Sequence, residues 1–137
     1  MTLPVTAFVA AICALLLLFT AIDTVRHRIR AQAAFGDGSG DSKLISASRS
    51  HGNLAEHAPV VILLLGLLEM ARAWHIGLMA IGAFFLFARI MHIWGLYLPV
   101  SGKPPVPRQI GVIGTWLTLL LLIVWTLWML LTQNILA

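Results

Sequence analysis

A chain of 137 residues that is 60% hydrophobic and 10% charged, with a mean hydropathy of +0.95, is excluded from the soluble globular class. Such domains average about 45–50% apolar and about 25% charged residues, and one this short would keep too much surface to hide the excess. The net charge of +4 does not point to nucleic acid, because no long basic run or aromatic-interleaved basic patch carries it.

The length allows one domain, residues 1–137. The first apolar segment, residues 3–22, is long enough to cross a hydrocarbon core of about 30 Å. No Lys or Arg precedes it, and Arg26, Arg28 and Arg30 follow at once. That order is the reverse of a secretory signal, so the segment is expected to stay in the mature protein. Cys13, the sole cysteine, lies within it as a small hydrophobe; one thiol builds neither an internal disulfide nor a thiolate metal cage. A polar connection is expected from Asp23 to Leu44. At its middle Phe35-Gly-Asp-Gly-Ser-Gly-Asp41 has the chemistry of a turn, without the closing Glu or regular oxygen ligands of an EF-hand calcium loop.

A second span is expected over residues 46–70, its helix beginning near Ser42 or Ser46. A third is expected over 76–98, and a fourth over 110–131 after the stretch Pro99 to Pro107, whose four prolines interrupt a helix. Trp74, Trp94, Tyr97 and Trp116 fall near the expected span ends, as an interfacial aromatic belt requires. The fold class is therefore all-α: an integral membrane four-helix bundle. Arg26, Arg28, Arg30, Lys43 and Arg49 cluster around the first connection, and Lys103 and Arg108 around the third. The second connection, around residues 69–75, holds only Arg72. The positive-inside rule then puts both basic connections in the cytoplasm and both termini outside.

Polar residues within spans are costly, on the order of 2.5–3.5 kcal/mol each, and survive by pairing, facing the bundle interior or meeting a ligand. Arg49, Asn53 and Glu56 recur at i, i+4, i+7 and share a face of the second helix. His57 flanks that stripe, and His51 points more nearly away. Arg89, His92 and Leu96 share a face of the third helix at the same depth. One reading is internal neutralisation, Arg49 with Glu56 or Glu56 with Arg89. The other is a small anionic ligand, because basic groups outnumber Glu56, the sole acid expected within a span on that side. Pro59 frees the carbonyl of Ala55, and a packing kink accounts for it.

Arg49-Ser-His-Gly-Asn53-Leu-Ala-Glu56 resembles the second-helix signature R-x-H-x-N-x-x-E of the MAPEG family, the membrane-associated proteins in eicosanoid and glutathione metabolism. Gly36-Asp-Gly resembles the loop of its bacterial branch, and Phe87-Ala-Arg89-Ile-Met-His92-Ile-Trp-Gly95 its third-helix segment. The resemblance implies a homotrimer of four-helix subunits in the bacterial inner membrane. Glutathione, as co-substrate, would bind between subunits near the cytoplasmic face, and lipophilic substrates would enter from the bilayer. Known members are glutathione transferases, glutathione peroxidases, and synthases of leukotrienes and prostaglandins.

Carried over residue by residue, the resemblance implies ligand contacts at Arg49, Asn53 and Glu56. His92 matches a position that is His in a prostaglandin-synthase relative and Tyr in a leukotriene-synthase relative. Arg26 resembles a first-helix arginine that reaches the ligand, with Arg28 or Arg30 as rivals for that role; His57 and Arg89 complete the glutathione-binding set. Arg108 best matches the arginine that stabilises the thiolate, with Lys103 as the alternative. The aromatic expected four residues after His92 is Leu96 here, and Tyr97 is displaced by about 100° around the helix. Two other classes stay open: a non-catalytic trimer binding glutathione or an anionic lipid, and an ion or metal pathway through His51, Glu56, His57 and His92. For the latter, His51 and His57 are six apart, unlike the i, i+4 pair of a zinc helix.

Overall fold

The computed structural model describes residues 2–36 and 40–134. Those residues form α1 (Pro4–Ala31), α2 (Ser42–Met70), α3 (His75–Tyr97) and α4 (Val106–Asn134), all four long and apolar enough to cross a membrane. The helices outrun the apolar segments that announce them. α1 continues past Ile22 and takes Asp23, expected in a connection, into its regular turns. Leaving hydrocarbon removes the need for apolar side chains but not the backbone hydrogen bonding. Arg28 and Arg30 in its last turn suit the negative end of the helix dipole. The helix stops at Gln32, whose φ of 50° is left-handed.

α2 starts at the earlier of the two expected positions because Asp41 caps it, accepting from the Lys43 and Leu44 amides at 2.9 and 3.3 Å. Asp41 is therefore committed to the helix start. Asp37, Gly38 and Ser39, the centre of the turn and calcium-loop readings, lie outside the described residues. α2 runs unbroken through Pro59, which is exposed. α4 begins at Val106 and not Ile110; Pro107 falls in its first turn, where a missing N–H costs nothing. Trp116 is consequently deeper than expected, ten residues or about 15 Å into α4, and 64% exposed.

Successive helices run antiparallel through short connections. α1 packs chiefly on α2 and α3 chiefly on α4, while α2 also meets α3 and α4; among the described residues α1 and α4 do not touch. The core seam on α2 is Leu54, Ala58, Val61, Leu65 and Leu68, the alternating four-three spacing that keeps one face inward along a helix. Against it lie Val5, Val9 and Cys13 of α1 and Leu78 and Phe85 of α3. Buried threonines are satisfied locally: Thr115 and Thr118 each donate to the carbonyl four residues back, at 2.8 Å, as hydroxyls without water must.

Glu69, expected in the second connection, sits in the last turn of α2 and is buried. Its carboxylate accepts from the amides of Val5 and Thr6 at 2.9 and 2.8 Å and from the Thr6 hydroxyl at 2.7 Å. It thus caps α1 from another helix, supplying acceptors for amides that a helix start leaves unpaired. Glu69→Ala is expected to cost about 2–3 kcal/mol, since hydrogen bonds to a charged group are each worth about 1.5–3 kcal/mol; Glu69→Gln should recover part of this. Thermal unfolding in detergent checks both, and an unchanged midpoint in the alanine variant would remove the cap from the account.

Candidate functional site

The antiparallel order brings the start of α2, the end of α3 and the start of α4 to one end of the bundle. Between them opens a hollow of about 280 Å³, just under the range of about 300–1,000 Å³ usual for small-ligand pockets. From α2 come Arg49, Gly52, Asn53 and Glu56. α3 contributes His92 and Leu96, and α4 Arg108 and Val112. The two polar stripes do meet at one depth.

Two glycines make the meeting possible. A Cβ on Gly95 would lie 2.2 Å from the Arg108 backbone nitrogen, and one on Gly111 would lie 2.5 Å from the His92 Cα. With no side chain at either place, the backbones of α3 and α4 touch, and Arg108 is set beside His92 and Leu96. Small residues of this kind let membrane helices approach closely. Both glycines are visible in the sequence, but which helix each would admit is not.

Arg49 and Glu56 are exposed, Arg108 and Asn53 half-buried, and His92 buried. Among the described residues the ion pairs are His27 with Asp23 and His75 with Glu69. Neither Arg49–Glu56 nor Glu56–Arg89 neutralisation is formed. Two arginines thus face one glutamate around the rim, and the positive end of α4 adds to the bias. A hollow of this sign suits a small anion with carboxylates, which arginine forks bind in two-pronged fashion.

The remaining expected positions fall elsewhere in the chain. Arg89 is 1% exposed and lies behind Asn53, donating to its Oδ1 at 2.6 Å. His57 bonds the carbonyl of Asn53 in its own helix at 2.8 Å. His51 turns to α1, 3.1 Å from the Thr20 hydroxyl. Of the ion-pathway reading, Glu56 and His92 share the hollow while His51 and His57 are engaged elsewhere, and among the described residues no three His, Cys, Asp or Glu groups come together to hold a metal ion. Arg28 clamps the carbonyls of Ala34 and Gly36, at 3.4 and 2.8 Å, and Arg26 is exposed on α1. Neither lines the hollow, because α1 packs on the other side of α2. Lys103 is exposed in the connection and does not line it either.

Leu96 occupies the wall where the resemblance expects an aromatic ring. Tyr97 points away and donates its hydroxyl to Asp23 of α1, while the Ser46 hydroxyl donates to the Leu96 carbonyl at 2.8 Å. These two ties hold the end of α3 against α1 and α2. Neither was readable in sequence, because the joined residues are 74 and 50 positions apart.

Four apolar helices and a cationic hollow at one end of their bundle define an integral membrane protein with a polar site built from three helices. A model of the MAPEG family matches residues 6–128, and the chain belongs to that family. It is similar to inner membrane protein YecN of Escherichia coli strain K12, with 37% identity over 126 residues that make up 90% of this chain and 91% of YecN. YecN of Escherichia coli O6:H1 strain CFT073 is similar to the same extent. No solved structure matches.

Proposed function

We propose that this protein is a glutathione-dependent enzyme of the inner membrane, a glutathione transferase or peroxidase acting on lipophilic electrophiles or lipid hydroperoxides. The observation that carries this reading is the single hollow lined by Arg49, Asn53, Glu56, His92 and Arg108, with both arginines free of ion pairs among the described residues. Glutathione is a net anion with two carboxylates, for which Arg49 and Asn53 are donors, and Glu56 accepts from its ammonium group. Cys13 is 1% exposed in the core, so the nucleophile arrives with the ligand.

Arg108 then stands near the thiol and favours the thiolate, as a neighbouring cation does. The sulfur pair forms the new bond to an electrophilic carbon while the leaving group departs with its own pair. With a hydroperoxide, sulfur takes the terminal oxygen and an alcohol is released; a second glutathione condenses with the sulfenic acid to give disulfide and water. The working unit is a homotrimer, in which Arg26 or Arg28 enters the site from a neighbour's α1. The hollow opens to the cytoplasm and both termini lie outside.

One observation favours a second reading, a non-catalytic trimer that binds glutathione or an anionic lipid: Leu96 offers no hydroxyl to a thiolate, and Tyr97 is engaged by Asp23. Calorimetry of the solubilised protein with glutathione and S-hexyl glutathione, alongside turnover of chlorodinitrobenzene and cumene hydroperoxide, decides. Binding with turnover is expected. Binding alone supports the second reading, and no binding of either ligand ends both glutathione readings. In vesicles of known orientation, only glutathione on the cytoplasmic side should be effective.

A further inference from the structure

Arg89 sits in the middle of the bundle, 1% exposed, with no carboxylate in ion-pair range among the described residues. Its donors go to neutral acceptors on two other helices. Nη1 reaches Asn53 Oδ1 of α2 at 2.6 Å, and Nη2 reaches the Gly111 carbonyl at 3.0 Å and the Thr115 hydroxyl of α4. Nε is buried without a partner. The Phe85 ring, its centroid 5.7 Å from the guanidinium carbon, offers a weak cation–π contact, but holding a cation this deep without a carboxylate is costly, and for packing alone an apolar side chain would serve better.

What the guanidinium does is dictate the orientation of an amide. Arginine only donates, so the Asn53 atom against it must be the oxygen. The amide nitrogen is then the outer atom; it has no partner among the described residues and is not buried away from solvent. Asn53 lines the hollow, which accordingly receives N–H donors from it and no acceptor. The Gly111 carbonyl lies one turn beyond Arg108, so the same clamp ties the α2 stripe to the helix that carries Arg108.

We propose that Arg89 is a positioning residue that does not touch the ligand. It locks the Asn53 amide with its N–H groups toward the hollow, which selects an anionic acceptor such as a carboxylate, and it holds α4 at the matching distance. Only the ligand's identity rests on the glutathione reading.

The chain has two asparagines, Asn53 and Asn134, so labelling with ¹⁵N-asparagine leaves two side-chain amide signals, assigned by Asn53→Asp. In the wild type the Asn53 NH₂ is expected to exchange with water and to move when glutathione is added. Thr115→Val removes an acceptor of Arg89 outside the hollow. It should shift the Asn53 amide and weaken glutathione binding about threefold, with Thr115→Ser restoring both. Asn53→Asp should pair with Arg89 and raise the unfolding temperature, yet bind glutathione about tenfold more weakly. A role in stability alone would move melting and affinity in the same direction. An Asn53 amide protected from water, or Thr115→Val with unaltered amide signals or affinity, overturns the proposal. Should glutathione leave the wild type unaffected, the ligand reading fails while the water-exchange and Thr115 amide arms still decide the clamp.

Discussion

Gly95→Ala is expected to lower the unfolding temperature and remove ligand binding together. The added methyl would stand 2.2 Å from the Arg108 nitrogen and 2.6 Å from its Cα. Both are backbone atoms and cannot rotate aside, so α3 and α4 must separate at the end that carries the hollow. Overpacking of a close contact costs about 1–3 kcal/mol, and here the upper part of that range applies. Gly111→Ala, against the His92 backbone at 2.5 Å, should behave alike. Gly52→Ala is the control: it lies beside the same hollow, but its Cβ would meet nothing within 4 Å. Thermal unfolding and glutathione calorimetry on the three variants separate the cases. If Gly95→Ala and Gly52→Ala proved equally harmless, the α3–α4 contact would be looser than described.

The second large effect concerns chemistry. Arg108→Ala should leave the melting temperature nearly unchanged, because the side chain forms no ion pair among the described residues. Turnover should fall by about 10²–10³, the loss usual when one group stabilising developing or resident negative charge is removed. Arg108→Lys should fall between, keeping a point charge without the planar fork. Lys103→Ala should be close to wild type, since Lys103 does not line the hollow. The deciding measurement is steady-state turnover together with thiolate absorbance of bound glutathione. Normal turnover in Arg108→Ala, or a loss in Lys103→Ala, would reassign the thiolate-stabilising role.

Much of this architecture was legible along the chain. Apolar runs of about 20 residues have one stable use in a membrane, because backbone groups in lipid must be satisfied within their own segment. The helical repeat likewise put Arg49, Asn53 and Glu56 on one face and His92 with Leu96 on another, since side-chain direction follows from local geometry alone. Tyr97 was recognisably out of register for the same reason. Helix ends were less legible. A hydropathy change marks where lipid ends, whereas Asp41 and the left-handed Gln32 mark where hydrogen bonding ends, and the two differ by up to nine residues in α1.

What one dimension does not contain is which faces meet. Glu69 as the cap of α1, Asp23 as the acceptor for Tyr97, and Arg89 as the support of Asn53 are all contacts across 36 or more residues. They depend on how helices pack, and packing here turned on Gly95 and Gly111, residues conspicuous only for what they lack. That Arg26, Arg28 and Lys103 do not line the hollow with Arg108 within one chain follows from the same packing. A charge in a sequence states its sign and its rough depth; its neighbours are set by close packing of other chain segments, which obeys shape and not order along the backbone.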